Sequence, residues 1–273
     1  MKNLIYQVWE GNIPPGTVLG RDNMKGYAER IGAEYWFDHD PKLAVRHGGM
    51  PIYYEWLNFL FDDRFLEYDK VAILDLDVYC KEDFSENIFD TEFEHFAVSE
   101  EPTTPKKRAK NAKGRIGKNN DERWAKDLKE IWNITLPRTK DNLLKVYNAG
   151  VVLVTREGIL AARKNFIPIK EYIGKLSRKG HGRFYCLDQN YMHANLFADG
   201  IKFTELSTDW NNQIYFHGDK SAIAPAPGHG RMINDPRNED TKFIHVQLSS
   251  ADHWLTKRKL DLMLNSPNSM WEY

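Results

Sequence analysis

Residues 71–79 read Val-Ala-Ile-Leu-Asp-Leu-Asp-Val-Tyr, an apolar run that ends in two carboxylates one residue apart. Short runs rich in Val and Ile are typical of buried strands, whereas Asp is depleted in strands. Asp75 and Asp77 therefore mark the carboxyl end of a strand, where open α/β sheets bind their ligands. Their oxygens suit one Mg²⁺ or Mn²⁺ ion. The alternative is that one Asp caps a helix or shapes a turn.

Composition restricts the class of protein. The chain has 273 residues, 41% hydrophobic and 28% charged, without a repeat or an interdomain linker, so we expect a single globular domain over residues 1–273. A net charge of -1 gives no overall field for nucleic acid or membrane surfaces. We expect no membrane span, no signal peptide and a cytoplasmic location. Cys80 and Cys186 are too few for a disulfide framework, and we expect both to be small buried side chains.

The opening of the chain predicts an α/β fold. Residues 4–9 form a strand, residues 22–31 a helix that Gly32 ends, and residues 34–37 a second strand. This β-loop-α-β order is typical of a nucleotide-binding unit with a parallel sheet. The Gly-x-Gly-x-x-Gly fingerprint is absent, which argues against a dinucleotide cofactor. We therefore expect one mixed, mostly parallel Rossmann-like sheet flanked by helices.

A second apolar strand covers residues 146–154 and contains Asn148 and Gly150. Gly within a strand often marks the close approach of a ligand or another backbone. Asp188 and Gln189 open a later helix, where Asp188 could simply be the N-cap. We expect helices also at residues 52–61, 121–132, after Thr155 and at 254–264. We expect an irregular loop over residues 217–242 and a last strand over residues 243–247.

Residues 106–118 carry seven basic side chains and no acid. Like charges repel and cannot bury apolar surface, so a mobile, solvated loop is one interpretation. The other is a lid, or a dock for an acidic acceptor.

The order of these motifs resembles that of GT-A glycosyltransferases, most of all glycosyltransferase family 8. The motifs that carry the resemblance are Ile73-Leu74-Asp75-Leu76-Asp77, Tyr147-Asn148-Ala149-Gly150, Leu187-Asp188-Gln189, Asp209-Trp210-Asn211 and Ile244-His245. The first strand, Ile5-Tyr6-Gln7-Val8-Trp9, also resembles the opening of the family 32, Och1-like enzymes. The resemblance implies a retaining transfer of sugar from a nucleotide sugar, UDP-linked in the first instance, to a glycan or another hydroxyl acceptor.

The resemblance also implies roles for individual residues. Asp75 and Asp77 would be the Asp-x-Asp motif that holds Mn²⁺, or Mg²⁺, against the donor diphosphate, and His245 the third protein ligand. Taken alone, one His after a strand is more often a hydrogen-bonded surface or core residue. The implied catalytic residues are Asp188 and Gln189, placed at the sugar with Gln189 near the anomeric carbon. Further implied contacts are Asn148 and Gly150 beside the donor sugar, and Gln7 and Trp9 at the nucleoside.

The sequence departs from the family 8 pattern in two places. The Lys-Pro-Trp element after the late His is missing. We expect Lys257 or Arg258 to make the phosphate contact in its place. The usual Arg before the Asp-x-Asp motif has no clear counterpart, and the candidates are Arg46, Tyr53 and Tyr54. The implied division of the domain is a donor-nucleotide half over about residues 1–100 and an acceptor half over about 140–273.

Two other functions are compatible with the sequence. Haloacid-dehalogenase phosphatases also carry Asp-x-Asp after an apolar strand, but near the start of their domain rather than after about seventy residues. A non-catalytic binder of sugar nucleotides or glycans would keep the fold without the reaction. Glycosyl transfer itself requires a stabilised leaving diphosphate and a positioned acceptor hydroxyl. In a retaining enzyme without a clear carboxylate nucleophile, the resemblance implies that the leaving phosphate takes the acceptor's proton.

Overall fold

The structure is a computed structural model that describes residues 1–13, 15–43, 51–81, 84–101, 109, 111, 116–217, 231–234 and 240–246. The strands are β1 (Asn3–Trp9), β2 (Glu34–His39), β3 (Lys70–Leu74), β4 (Val78–Cys80), β5 (Phe96–Glu100), β6 (Tyr147–Thr155), β7 (Phe203–Leu206), β8 (Asn212–His217), β9 (Arg231–Asn234) and β10 (Phe243–Val246). The α-helices are α1 (Pro15–Ile31), α2 (Lys118–Trp132), α3 (Arg156–Asn165), α4 (Ile169–Arg178) and α5 (Asp188–Leu196). Short 3-10 helices cover Ile52–Leu60, Asp63–Glu67, Ile88–Asp90, Arg183–Cys186 and Thr208–Trp210.

A six-stranded mixed sheet forms the centre of the described chain, in the order β2-β1-β3-β6-β5-β7. Strand β1 pairs in parallel with β2 and β3, and β5 pairs in parallel with β7. Strand β6 is antiparallel to both of its neighbours. The predicted α/β fold with a mixed, mostly parallel sheet is confirmed.

Both faces of this sheet are covered, which explains the continuous apolar runs. Val71 and Ile73 pack into one core cluster, whereas Ala72 and Leu74 pack into the other. Successive side chains of a strand point to opposite faces, so both faces of β3 lie in the core. All nine residues of β6 are buried.

The sheet topology brings four chain segments to one edge. Strands β3 and β5 are both antiparallel to β6, and β7 is parallel to β5, so β3, β5 and β7 end where β6 begins. Asp75 follows β3, Glu101 follows β5, and Asn211 lies shortly after β7. Asn148 is the second residue of β6. Polar residues from distant parts of the sequence therefore meet at this edge.

A second, four-stranded sheet adjoins the same edge, in the order β4-β10-β8-β9. Residues 75–77 connect β3 of the central sheet to β4 of the second. Strand β10 is antiparallel to β4, with His245 opposite Val78. The two aspartates thus lie at the junction of the sheets, one strand away from His245.

Several expected boundaries differ from the observed ones. Helix α1 begins at Pro15 rather than near residue 22, because Pro is well accommodated in the first turn of a helix. Gly32 ends it with φ 69°, as expected. Residues 52–60 form a 3-10 helix rather than an α-helix. Strand β9 lies within residues 217–242, which were expected to form an irregular loop, and it pairs with β8.

Some predictions fall outside the described residues. They include the helix over residues 254–264, the phosphate contact of Lys257 or Arg258, the candidate Arg46 and most of the basic segment 106–118. Within the described part of the chain, no helix combines the length and the apolar character needed to cross a membrane.

Candidate metal and donor site

Two aspartates and a histidine meet at the junction of the sheets. The Nε2 atom of His245 lies 3.2 Å from Oδ1 of Asp77 and 3.8 Å from Oδ2 of Asp75. One ligand atom from each residue can be chosen so that all three lie within 4.8 Å of one another. The side chain of Asp75 is 48% exposed, that of Asp77 18%, and that of His245 4%. The group therefore opens to solvent through Asp75 and is closed behind by His245.

Backbone hydrogen bonds hold the turn that carries both aspartates. The amide of Asp75 donates to the carbonyl of Gly150 at 2.9 Å, and that of Val78 donates to the carbonyl of Asp75 at 3.2 Å. The amide of Val246 donates to the carbonyl of Asp77 at 2.9 Å. Strands β6 and β10 thus fix the backbone of the turn from two sides.

Gly150 is required because the His245 ring packs directly against its Cα. A Cβ atom at this position would lie 2.2 Å from Cε1 of His245 and 2.9 Å from Oδ1 of Asn148. Contacts below 3 Å force a neighbour to move. The sequence predicted the close approach of a ligand or another backbone at this glycine, whereas the neighbour in the structure is the His245 side chain.

A chain of side-chain amides connects His245 to Gln189. Oδ1 of Asn148 accepts hydrogen bonds from the amide of Gly150 at 2.8 Å and from Nδ2 of Asn211 at 3.0 Å. Nδ2 of Asn148 donates to Oε1 of Gln189 at 3.2 Å. Oδ1 of Asn211 lies 3.0 Å from Nδ1 of His245.

The polarity of this chain is fixed at both ends. The Gly150 amide can only donate, so it assigns the oxygen of Asn148. At the other end, Nε2 of Gln189 donates to the Glu101 carboxylate at 3.1 Å, and a carboxylate only accepts. The oxygen of Asn211 therefore faces His245, whose Nδ1 carries the proton. That tautomer leaves Nε2, the nitrogen beside the aspartates, as the metal-binding atom.

The cluster is deficient in positive charge. Partial desolvation within the cleft, followed by the charge of Asp77, raises the pKa of Asp75 above its ordinary value. Burial alone would lower the pKa of His245, but the carboxylates of Asp77 and Asp75 raise it above its ordinary value. In both cases the site favours the more positive form of the group. A divalent cation would satisfy the same demand and displace those protons.

The donor set fits a divalent metal of the Mn²⁺ or Mg²⁺ type. Two carboxylates and one imidazole form a borderline set that Mn²⁺ tolerates better than Ca²⁺ does. His245 is also oriented by Asn211 through its second nitrogen, the usual arrangement behind a ligating histidine. Asp75, Asp77 and His245 are thus the residues that would hold the ion.

Asp188 is the first residue of α5, and Leu187 occupies the N-cap position, so Asp188 is not the cap. Its Oδ2 accepts a hydrogen bond from Nε1 of Trp56 at 2.7 Å. Burial raises the pKa of Asp188 to about 6, against the lowering effect of that hydrogen bond. The Asp188 carboxylate is therefore held in place by Trp56 and partly desolvated.

A cleft of about 400 Å³ joins Asp75, Asp77 and Asp188. This volume is within the usual range for small-molecule sites. Its described lining consists of Val8, Trp9, Glu10, Thr17, Ile52, Tyr53, Glu55, Trp56, Asp75, Leu76, Asp77 and Asp188. Five of these residues are acidic, and none of these described lining residues is Lys or Arg. The cleft is thus strongly negative where the aspartates meet.

The two residues expected at the nucleoside differ in accessibility. Trp9 lines the cleft and its Nε1 donates to the carbonyl of Asn12 at 3.0 Å. Gln7 has no exposed surface. Its Nε2 donates to the carbonyl of Asp75 at 3.0 Å, and its Oε1 accepts from the hydroxyl of Tyr35 at 2.8 Å. Gln7 therefore stabilises the backbone of the turn at Asp75.

Three residues of the site had no role assigned from the sequence: Glu101, Asn211 and Trp56. Asn211 lay within a motif that carried the family resemblance, and no pattern singled out Glu101. Trp56 was only one apolar residue of the predicted helix over residues 52–61. Their contacts depend on strand order and on pairings across the fold, which local patterns do not contain.

No family model matches the sequence, and no curated protein matches it. Solved structures do match. The apo structure of the bifunctional glycosyltransferase WbbM has a TM-score of 0.50 at 12% identity, covering 89% of this chain and 45% of that one. This chain thus spans less than half of WbbM.

Two further structures match along nearly their whole length. An active-site mutant of LgtC has a TM-score of 0.50 at 13% identity, covering 96% of this chain and 94% of that chain. Mouse xyloside xylosyltransferase 1 in its apo form has a TM-score of 0.50 at 13% identity, covering 94% and 100%. At these identities the likeness shows the fold, which is that of GT-A-type glycosyltransferases.

Proposed function

We propose that the protein is a cytoplasmic, metal-dependent, retaining glycosyltransferase of the family 8 type. It transfers a sugar from a nucleotide sugar, UDP-linked in the first instance, to the hydroxyl of a glycan or another acceptor. Mn²⁺ is the proposed metal, with Mg²⁺ as the substitute. The GT-A fold supports the class of reaction, and the chemistry of the cleft supports the metal.

The observation that carries the proposal is the charge of the cleft. A nucleotide-sugar diphosphate is anionic, yet the described lining of the cleft has five carboxylates and no Lys or Arg. Like charges at short range repel strongly in a partly desolvated site. A divalent cation held by Asp75, Asp77 and His245 would reverse the local charge and serve as a Lewis acid for the leaving diphosphate.

The chain's own residues supply binding and orientation. His245 presents Nε2 because Asn211 holds the proton on Nδ1. Trp9 offers an aromatic surface for the nucleoside at the cleft wall. Gln7 and Gly150 hold the backbone of Asp75, and Gly150 also gives the His245 ring its space.

Asp188 and Gln189 are proposed to contact the donor sugar. Asp188, fixed by Trp56, accepts hydrogen bonds from sugar hydroxyls once it is ionised above about pH 6. Gln189 is held between Glu101 and Asn148, and Asn148 is itself joined through Asn211 to His245. A continuous chain of hydrogen bonds therefore connects the proposed sugar contacts to the proposed metal ligands.

The two alternative functions make different predictions. A haloacid-dehalogenase phosphatase would use Asp75 as a nucleophile, and the likeness of the fold to glycosyltransferases weighs against it. A non-catalytic binder would bind a sugar nucleotide without consuming it. One assay distinguishes both alternatives from a glycosyltransferase.

The test is slow donor hydrolysis, which requires no acceptor. The full chain is incubated with a panel of nucleotide sugars in Mn²⁺, in Mg²⁺ and in EDTA, together with a phosphate-monoester substrate. We expect one donor class to release nucleoside diphosphate only when metal is present. Release of phosphate from the monoester would support the phosphatase, and tight donor binding without turnover would support the binder.

Retention is tested on the first-formed product by NMR. From an α-linked donor, we expect the new bond or the hydrolysed sugar to be α before mutarotation. A β-configured first product would contradict the retaining mechanism while leaving sugar transfer itself intact.

A further inference from the structure

We infer that the mouth of the cleft holds a subsite for an acceptor sugar that carries an anionic group, a carboxylate or a phosphate. In this subsite Tyr53 lies against the sugar ring and Arg183 binds the anion. The inference rests on the proposed glycosyl transfer and extends it to the class of acceptor.

Exposed apolar side chains mark this place. In the described part of the chain, five large hydrophobic side chains are exposed, and two of them, Ile52 at 49% and Tyr53 at 47%, are adjacent. Both line the cleft that also contains Asp188. Single exposed apolar residues are ordinary, but Ile52 and Tyr53 are adjacent and both line a cleft of the size that binds small molecules. An aromatic ring with a polar tip is suited to contact a ligand that is apolar on one face and hydroxylated at its edge.

Arg183 adds a cation to this surface. Its guanidinium lies 5.5 Å from the centroid of the Tyr53 ring, and its Nη2 donates to the Tyr53 hydroxyl at 3.4 Å. Among the described residues, Arg183 has no carboxylate within ion-pair distance. Arg183 is also exposed to solvent. A planar guanidinium with unused donors is well matched to the two oxygens of a carboxylate or phosphate.

The Tyr53 and Arg183 segments are held to each other and to Asp188 by two further hydrogen bonds. The hydroxyl of Tyr54 donates to the carbonyl of Cys186 at 2.8 Å. Nε1 of Trp56 donates to Asp188 at 2.7 Å. The 3-10 helix Ile52–Leu60 and the segment 183–188 thus lie side by side. Three hydrogen bonds join them, from Tyr53 and Arg183 at the cleft mouth to Trp56 and Asp188 inside it.

Buried polar contacts fix the Arg183 segment from behind. The hydroxyl of Tyr185 donates to Asp121 at 2.6 Å, and the hydroxyl of Tyr172 donates to the carbonyl of Tyr185 at 2.9 Å. The His181 ring lies 2.7 Å from the Asp127 carboxylate. The position of Arg183 is therefore set by helices α2 and α4 before any acceptor binds, which reduces the entropy lost on binding.

The position of Arg183 determines the orientation of the bound acceptor. Carboxylates line the interior, and the cation lies at the mouth beside Tyr53. Arg183 holds the anionic substituent at the mouth beside Tyr53, so the opposite side of the acceptor ring turns inward. That orientation presents a ring hydroxyl toward Asp188 and the donor sugar.

The inference is tested by binding, separately from turnover. Three probes share one ring and differ at one carbon: methyl glucoside, methyl glucuronide and methyl glucoside 6-phosphate. Their dissociation constants are measured by NMR titration of the full chain in Mg²⁺. We expect at least one charged probe to bind about tenfold more tightly than the neutral ring, the gain that one charge-assisted contact provides. The two charged probes distinguish a carboxylate from a phosphate acceptor.

Arg183→Ala should remove the preference for the charged probe, and Tyr53→Ala should weaken all three probes by a similar factor. Arg178→Ala is the matched control, because Arg178 is also an exposed arginine but lies at the end of α4, outside the segment 183–188. It should keep the wild-type preference. Equal binding of neutral and charged probes to the wild type, or an unchanged preference in Arg183→Ala, would overturn the inference. Donor hydrolysis of the wild type judges the proposed function independently of this result.

Discussion

Oδ1 of Asn211 lies 3.0 Å from Nδ1 of His245, and this contact determines which nitrogen of the ring faces Asp75 and Asp77. Asn211 is fully buried, so its amide has no water to replace a lost partner. Through Nδ2 it also holds Asn148, which in turn holds Gln189. A single side chain thus connects the proposed metal ligands to the proposed sugar contacts.

Asn211→Ala should weaken metal binding. The change removes the acceptor that keeps the proton on Nδ1 of His245, and loss of such an orienting partner typically costs about tenfold to a hundredfold in metal affinity. The measurement is a Mn²⁺ titration followed by electron paramagnetic resonance.

Asn211→Asp separates the two functions of this amide. The carboxylate still accepts from His245 but donates nothing to Asn148, so Mn²⁺ affinity should stay within about threefold of wild type while donor turnover falls. Wild-type Mn²⁺ affinity in Asn211→Ala would mean that His245 does not depend on Asn211.

Gly150→Ala should displace the His245 ring, because the added Cβ would lie 2.2 Å from Cε1. We expect Mn²⁺ affinity to fall about tenfold or more, with a loss of stability of about 1–3 kcal/mol from overpacking. Gly174→Ala is the matched control, since it lies within α4 and a Cβ there meets nothing within 4 Å. The control should gain up to about 1 kcal/mol of helix stability and leave metal binding unchanged. Equal Mn²⁺ binding by both alanine variants would contradict the packing argument.

Asp188→Asn should stabilise the metal-free protein at alkaline pH. The pKa of Asp188 is raised to about 6 in the fold, above its ordinary value of 3.8, so the ionised carboxylate costs stability above about pH 6. That cost disappears as the pH falls toward 4, because the folded protein takes up the proton first. The asparagine retains an oxygen for Trp56.

The measurement is urea unfolding in EDTA at pH 8 and at pH 4. After allowance for partial exposure, the gain at pH 8 should be on the order of 1–2 kcal/mol and should shrink toward zero at pH 4. Asp141→Asn, an exposed control, should give no such pH dependence. A gain that is equal at both pH values would show that the charge of Asp188 is not its cause.

The local pattern was sufficient to predict some of the site and not the rest. Asp75 and Asp77 follow a buried strand, and that pattern is visible within nine residues of sequence. His245 came from the family resemblance, and the structure brings it to within 3.2 Å of Asp77. The order of the strands explains why, since residues 75–77 lead into β4 and His245 pairs with Val78 on β10.

Contacts between distant segments could not be predicted. Trp56 and Asp188 are 132 residues apart, and Asn211 and His245 are 34 apart. Each pair depends on the register of elements whose order the local patterns do not specify. Gln7 gives a further example, because the family resemblance implied a nucleoside contact, whereas the fold buries it against the carbonyl of Asp75. Its proposed role is therefore to support the metal-binding turn.

The most direct test of the central claim is a Mn²⁺ titration of the wild type, Asp77→Asn and His245→Ala, with and without a nucleoside diphosphate, beginning with UDP. The wild type should bind one Mn²⁺ per chain, more tightly when the diphosphate is present, because its oxygens complete the coordination. Both variants should bind Mn²⁺ about tenfold more weakly or worse, whereas Asp141→Asn should bind as the wild type does. Wild-type Mn²⁺ affinity in both Asp77→Asn and His245→Ala would contradict the account.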